Sequence, residues 1–385
     1  TAGLATNLPV AANDLDGIVA AAGRERIDLV VIGPEEPLAR GLADRLGAEG
    51  VLAFGPTAAA ARIETSKSWA KDLLREAGVP AARSVAVTDV GSGMAALADF
   101  GWPLVLKADG LAAGKGVVIV HDREHVQTVL TAMLEDAVLG AAGQTVLIEE
   151  FLEGPEVSVL ALCDGERVVC LAPARDAKRV GDGDTGPNTG GMGAFAPVPG
   201  LDGAWLAGIE RTILAPTVAA MAGRGCPMRG VLYAGLILTD QGPVVLEYNA
   251  RFGDPETQVV LPLLDGDLLD LLTGVAGGSM APDISAASGA GAAVGVVLAS
   301  GGYPGPYQSG LPVTGLDRVP DDVLVFHAGT RRDAAGRVVT AGGRVLTVVG
   351  RGPTLEAARA RAYAGADAIS FPGMRRRSDI GVPRS

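Results

Sequence analysis

Between positions 246 and 257 the chain reads Leu246-Glu247-Tyr248-Asn249-Ala250-Arg251-Phe252-Gly253-Asp254-Pro255-Glu256-Thr257, an apolar strand that runs straight into oxygen ligands and charges. Side chains alternate faces along a strand, so Glu247, Asn249 and Arg251 project together. A carboxylate beside an amide oxygen suits Mg²⁺, which takes one or two protein oxygens and completes its octahedron with water and phosphate. The pattern points to a nucleotide-phosphate site on a sheet. The bland alternative is a structural ion pair between Glu247 and Arg251, but Asn has low strand propensity and needs a reason to stand there. Asp254 and Glu256 add carboxylates close by.

The rest of the chain supplies the sheets such a strand needs. Residues 28–33 read as a buried parallel strand, 41–50 as a helix and 51–56 as a second strand, which together make an open α/β sheet. A helix capped at Thr65 or Ser66 buries Trp69, Leu73 and Leu74 and stops at Gly78, with Pro80 beyond. Residues 85–151 form a small α/β lobe of strand, helix, strand, Gly-rich loop and strand, with a second helix over 124–139 and a closing strand over 146–151. Two hairpins follow, 157–163 with 168–172 and 232–239 with 244–247. Between them residues 179–193 are too Gly-rich for a regular element and long enough to be a functional loop. Residues 274–291 resemble a linker. The remainder is mostly β (293–300, 323–329, 338–339 and 344–349), with one helix over 354–368.

At 385 residues the chain is long enough for two or three domains and a large core. The net charge of −12 argues against nucleic acid, which requires a basic face, so an anionic substrate must be held by local lysines, arginines and backbone N–H groups. Cys163, Cys170 and Cys226 make no C-x-x-C pair and read as reduced core residues. His121, His125 and His327 are too scattered for a zinc site. No apolar run approaches a membrane span and Thr1 opens no signal peptide, so a cytoplasmic location follows by default.

Three further motifs carry chemistry. Asp109-Gly110-Leu111-Ala112-Ala113-Gly114-Lys115-Gly116-Val117 joins two strands and combines glycines that let backbone approach a phosphate with a lysine that neutralises it. It is not a Walker loop, because three residues separate Gly110 from Gly114 and Gly116 stands where Ser or Thr is needed. A strand-loop-strand flap over phosphates and a flexible surface hairpin are the two readings. Lys107 ends an apolar strand and needs an anion there, either a carboxylate of the same sheet or a nucleotide phosphate. Glu149-Glu150-Phe151-Leu152 resembles a strand passing into a linker beneath an adenine, with Glu156 placed for ribose hydroxyls; it can equally be an exposed strand end.

Taken in order, the lysine strand, the Gly-Lys-Gly flap, the Glu-Glu-Phe-Leu linker and the Glu-x-Asn strand resemble the ATP-grasp superfamily. Residues 107–116, 184–193, 251–258 and Phe326-His327-Ala328-Gly329-Thr330 look like the glycinamide ribonucleotide synthetase family, also called phosphoribosylamine-glycine ligases, and the similarity runs to Ile380-Gly381. The resemblance implies an α/β and α+β multidomain protein. Its parts are an amino-terminal open parallel α/β (pre-ATP-grasp) domain over 1–64 lacking its first strand, an ATP-grasp domain over 65–275 with a lid lobe at about 83–152, and a mostly β domain over 290–385. It also implies roles. Lys67, Lys107, Gly114, Lys115 and Gly116 would meet ATP phosphates, Glu149, Glu150, Phe151 and Leu152 the adenine, and Glu156 the ribose. Glu247 and Asn249 would hold Mg²⁺ or Mn²⁺. Gly33, Pro34, Glu35, Asp176, Lys178, Arg179, Thr189, Gly190, Gly191, Met192, Arg251, Asp254, Pro255 and Glu256 would surround glycine and 5-phosphoribosylamine, with Arg251 and Lys115 as the catalytic cations.

Two departures from the family pattern stand out. Members start with a strand and a Gly-Ser-Gly-Gly-Arg-Glu-His turn for the substrate 5-phosphate, and Thr1 falls downstream of it by on the order of 30 residues, one βα unit. Ala177 stands where the family carries His, and Arg175 where it carries Gln. The expected chemistry is attack of glycine carboxylate on the γ-phosphorus of ATP, then capture of glycyl phosphate by the amine, in a monomer or weak homodimer. The competing readings are another ATP-grasp ligase, against which the 184–193 loop argues, and a non-catalytic ATP-binding module.

Overall fold

The computed structural model describes residues 4–112, 116–136, 138–281 and 291–382. Three sheets of four or five strands, one parallel strand pair and two antiparallel pairs organise these residues. In the amino-terminal part, strands Leu29–Val31 and Leu52–Phe54 pair in parallel with Leu29 opposite Leu52, packed by helices Leu15–Glu25, Glu35–Ala39 and Leu42–Ala48. The first two of these helices were not read from the sequence. Helix Lys67–Ala77 has Ser66 as its cap, accepting from the Trp69 N–H at 3.2 Å, and ends where Gly78 turns left-handed at φ 66°. Leu73 and Leu74 are buried on it as expected. Trp69 is only half-buried: it packs against the edge of the core while its ring meets the guanidinium groups of Arg62 and Arg224 at 5.1 and 5.0 Å.

The small lobe is a four-stranded antiparallel sheet in the order Ser84–Val87, Val146–Glu150, Leu104–Ala108, Val117–Val120. Its long helix is shorter than the sequence pattern predicts: Arg123–Leu130 gives way to a π-helical turn over Thr131–Glu135. The central sheet runs Gly242–Asn249, Arg229–Thr239, Glu156–Asp164, Val168–Cys170, all antiparallel. It confirms both hairpins. The expected linker over 274–291 begins inside a helix, Leu268–Ala276, and its residues 282–290 lie outside the described residues.

The third sheet crosses the chain's own order. Carboxy-terminal strands Val323–His327, Arg344–Gly352 and Ala292–Ala299 continue into Gly193–Ala196 and Arg175–Asp176 from the middle of the sequence. Residues 179–193 are therefore not irregular throughout. Arg179–Gly181 and Thr185–Asn188 pair as an antiparallel hairpin, and Gly193–Ala196 is a buried strand. The reason lies far away: Arg377, 1% exposed, donates to the Arg179 carbonyl at 3.0 Å and to Asp184 Oδ1 at 2.6 Å, and Asp182 accepts from the Ser378 N–H at 2.8 Å. Stacking of Phe54 on Phe252, with ring centroids 5.6 Å apart, fastens the amino-terminal strands to the turn that follows the Glu247 strand.

Candidate active site

The site is built outward from one buried carboxylate. Glu149, 1% exposed, sits in the strand flanked by Ser84–Val87 and Leu104–Ala108. Lys107 Nζ lies 2.8 Å from its Oε2 and Lys71 Nζ 3.2 Å from its Oε1. Lys107 thus has the same-sheet partner weighed from the sequence. It also donates to the Leu246 carbonyl at 3.1 Å. That carbonyl is available because the ladder slips there: Glu247 lies opposite Gly235 but Val245 opposite Leu236, so Leu246 is an extra residue in a bulge. The lobe and the Glu247 strand meet at this bulge.

Lys67 precedes Lys71 by one helical turn and donates to the Gly110 carbonyl at 3.3 Å. Asp109 pins the start of the flap to the same helix end, accepting from Ser68 N–H at 2.6 Å, Ser68 Oγ at 3.0 Å and Ser66 Oγ at 3.2 Å. Gly116 closes the flap, its carbonyl accepting from Ala108 N–H at 2.8 Å. Gly114 and Lys115 lie outside the described residues. Desolvation pulls the Lys67 ammonium below the ordinary lysine pKa and Lys107 adds repulsion, opposed by Glu247 and Asp109. Desolvation lowers Lys71 likewise, against the pull of Glu149. Two ammonium groups, those of Lys71 and Lys107, share the one buried carboxylate of Glu149, and the Lys67 ammonium is close enough to be repelled by Lys107, a cationic surplus that a polyphosphate would neutralise. Lys71 was missed in the sequence, although its spacing of four from Lys67 puts both on one helix face.

Beyond the strand Val146–Glu150, the chain carries Phe151 and Leu152 half-buried, and Glu150 accepts from the Arg83 N–H at 2.7 Å. The Glu149 side chain points inward, so only its backbone remains for a base. Glu247 is exposed and Asn249 half-buried on their strand. Among the described residues Glu247 has no hydrogen bond or ion pair. Arg251 pairs instead with Glu35, Nε to Oε2 at 3.4 Å, and with Glu64, Nη2 to Oε1 at 3.4 Å, so the Glu247–Arg251 alternative does not form. Among the described residues no three His, Cys, Asp or Glu side chains converge. A free carboxylate beside an amide oxygen fits a hard cation that draws its other ligands from phosphate and water.

The second wall joins segments from four parts of the chain. Glu35 starts a helix just after the exposed Gly33 and Pro34 and reaches Arg251. Glu64, unnoticed in the sequence, holds Arg251 from behind and also accepts from the Ala250 N–H at 2.8 Å. Lys178 lies 2.6 Å from Asp176 and 3.3 Å from Glu156, so a residue predicted for ribose and two predicted for the acceptor share one cluster. Desolvation works against the Lys178 ammonium, but Asp176, Tyr233 and Glu156 outweigh it and hold its pKa well above the usual value. Arg179 is exposed and turned onto its own hairpin, donating to the Gly186 carbonyl at 2.8 Å.

Glu256, Pro255 and Met192 are placed behind this wall rather than on it. Met192 is fully buried and its N–H donates to the Ala177 carbonyl at 2.8 Å. Glu256 is 4% exposed and accepts from the Tyr233 hydroxyl at 2.9 Å, which in turn lies 2.7 Å from Ser158 Oγ. Burial, with Asp176 nearby, pushes its carboxyl up to about 7 against the opposing pull of Lys178. Thr189 ties the loop back, donating through N–H and Oγ1 to the Lys178 carbonyl at 2.7 and 2.9 Å. Gly190 and Asp254 are both held by Arg344, a residue from the carboxy-terminal sheet that no local sequence signal singled out.

Residues 1–64, 65–257 and 293–383 match, in that order, the N domain, the ATP-grasp (A) domain and the C domain of phosphoribosylglycinamide synthetase. The chain belongs to the phosphoribosylglycinamide synthetase family. Its relatives in that family include a phosphoribosylamine–glycine ligase of Synechocystis sp., 47% identical over 385 residues that cover 99% of this chain and 90% of the relative. The crystal structure of a phosphoribosylamine–glycine ligase from Thermotoga maritima superposes with a TM-score of 0.85 at 34% identity, covering 97% of this chain and 90% of the other. A biotin carboxylase domain of Hydrogenobacter thermophilus 2-oxoglutarate carboxylase shares the fold, with a TM-score of 0.75 at 17% identity over 94% of this chain and 79% of the other. The synthetase architecture is thus an ATP-grasp fold carrying a carboxy-terminal, mostly β region. Among the described residues, no helix is long and apolar enough to cross a membrane.

Proposed function

We propose that this chain joins glycine to 5-phosphoribosylamine with cleavage of ATP, giving glycinamide ribonucleotide, ADP and phosphate, the second step of de novo purine biosynthesis. The observation that carries the reading is the pair of Lys71 and Lys107 on Glu149, joined at Leu246 to the strand bearing Glu247 and Asn249, with Lys67 held nearby on the Gly110 carbonyl. Positive charge meets there a Glu247 carboxylate that bonds no described residue and an Asn249 amide oxygen that accepts only from Arg251 at 3.4 Å, as a metal–polyphosphate requires. We assign residues 1–64, 65–275 and 290–385 to three domains, with the lobe at about 83–152 covering the nucleotide.

In this reading Lys67 and Lys107 bind the phosphates, the backbone of residues 149–152 the adenine and Glu156 the ribose. Glu247 and Asn249 would hold Mg²⁺ or Mn²⁺, which when bound neutralises charge on the transferring phosphoryl group. A glycine carboxylate oxygen attacks the γ-phosphorus and ADP leaves. Arg251, fixed by Glu35 and Glu64, orients the carboxylate or the phosphoryl group through its planar fork. The amine of phosphoribosylamine then forms the C–N bond while the C–O bond to phosphate breaks. Acyl phosphates hydrolyse readily, so the lobe also serves to exclude water. Phosphate release from ATP, measured with glycine and phosphoribosylamine added singly and together, tests the assignment. Release that needs both supports it, and tight ATP binding without release refutes it.

A further inference from the structure

The loop 189–192 and the turn 250–256 are far apart in sequence, yet both reach the acceptor wall, and Arg344 stands between them. Its Nη1 donates to the Gly190 carbonyl at 2.6 Å and to the Asp254 carbonyl at 2.7 Å, while Nη2 donates to Asp254 Oδ2 at 2.8 Å. The Gly190 N–H donates to the Tyr303 hydroxyl at 3.0 Å, so both backbone groups of Gly190 are held by residues of the carboxy-terminal part. Little slack remains between the two segments. Gly191 adopts φ +107°, and a Cβ there would lie 2.4 Å from Pro255 Cδ.

The fork has a rigid base. Arg344 opens strand Arg344–Gly352, which pairs along its length with Ala292–Ala299 and Val323–His327. The same sheet contains Gly193–Ala196, the strand that begins directly after the loop, and Arg175–Asp176. One element therefore carries the fork, the end of the loop and Asp176. A guanidinium presents several donors in a fixed plane and can serve three oxygens at once, whereas an ammonium is a single point of charge.

We propose that Arg344 is a positioning residue that locks the 189–192 loop and the Asp254 turn into one arrangement, so that the two walls of the acceptor pocket form together. The proposal rests on the reading of those segments as the acceptor wall. It leaves the ATP corner alone, because Lys71, Lys107 and Glu149 make none of these contacts. The carboxy-terminal strand that carries Arg344 thereby sets the affinity for the acceptor substrates through the two segments it holds.

The test uses the full chain with Arg344→Ala and Arg344→Lys. In steady-state assays KM for glycine or phosphoribosylamine is expected to rise roughly 10–100-fold, the scale of an ångström-sized misplacement. KM for ATP is expected to stay unchanged, and Lys is not expected to restore the acceptor KM. Amide hydrogen exchange supplies a readout independent of turnover. In Arg344→Ala, peptides covering 189–192 and 254–256 should lose protection together while Val146–Glu150 keeps its own. An unchanged acceptor KM, an equal rise in KM for ATP, or loss of protection in only one segment overturns the proposal. If the unaltered protein does not turn over with both acceptors, the functional reading fails, and the exchange comparison alone then decides whether Arg344 couples the segments.

Discussion

One carboxylate oxygen of Glu64 accepts the Ala250 N–H at 2.8 Å while the other lies 3.4 Å from the Arg251 guanidinium. A single buried acid thereby fixes both the backbone and the side chain where the Glu247 strand enters the acceptor wall. Desolvation raises the Glu64 pKa, and Arg251 with the Ala250 N–H opposes that rise. Glu64→Gln keeps an oxygen for Ala250 but removes the charge that holds Arg251, so turnover is expected to fall about tenfold or more with little loss of stability. Glu64→Ala leaves Arg251 and the Ala250 N–H under-served and is expected to destabilise by about 3 kcal/mol or more. Denaturant midpoints beside turnover separate the two variants.

The Lys107–Glu149–Lys71 cluster predicts a large stability effect from one conservative change. Glu149→Gln leaves two ammonium groups without their shared counter-ion in a desolvated corner, and removal of one partner of a buried pair costs about 3–5 kcal/mol. Lys67→Ala is expected to leave the midpoint nearly unchanged, since its side chain bonds only the Gly110 carbonyl, yet to raise KM for ATP. A chemical denaturation series on both variants, with ATP kinetics on the second, checks the contrast.

Glu256 predicts a pH dependence with a definite sign. Its carboxyl is pushed from the ordinary 4.5 up to about 7 in the folded chain, chiefly by desolvation. Between those values the folded state holds a proton that the unfolded state has released, so the stabilisation is present below about pH 4.5 and is lost as pH rises towards 7. Glu256→Gln removes this titration. Its unfolding free energy should change less across that window than that of the unaltered chain, as read from urea midpoints at successive pH values.

Glu247 differs from these buried groups in having little structural duty. Glu247→Ala is expected to leave thermal stability unchanged, because its carboxylate bonds no described residue. The Mg²⁺ concentration for half-maximal activity should rise by at least the roughly 10–100-fold that loss of an outer-shell partner costs. A metal titration of activity, with thermal unfolding as the control, measures both.

The Glu247-x-Asn249 alternation, the small lobe and both central hairpins were legible because period-two patterns and turn residues are local signals, whereas the strand ends at Asn249 and Arg251 stands in the bend beyond it. What stayed hidden depends on partners distant in sequence. Gly, Pro and Asp in 179–188 suppress strand propensity, yet the hairpin forms because Arg377 and Ser378 meet its backbone and carboxylates. Glu149 read as part of an adenine linker, although it lies between two lysines, one of them on a helix more than 70 positions earlier. Glu256 and Met192 read as pocket residues, but pairing and burial turn their side chains inward. Arg344 gave no local sign because its acceptors, Gly190 and Asp254, are about 150 and 90 residues away.

The central claim is that glycine is activated as an acyl phosphate before the amine attacks. Turnover of ATP and phosphoribosylamine with glycine labelled with ¹⁸O in its carboxylate tests it directly, by mass analysis of the released inorganic phosphate. One labelled oxygen in each phosphate is the predicted result, since the oxygen that attacked the γ-phosphorus departs with it. Phosphate free of label, released at the rate of product formation, would contradict the claim.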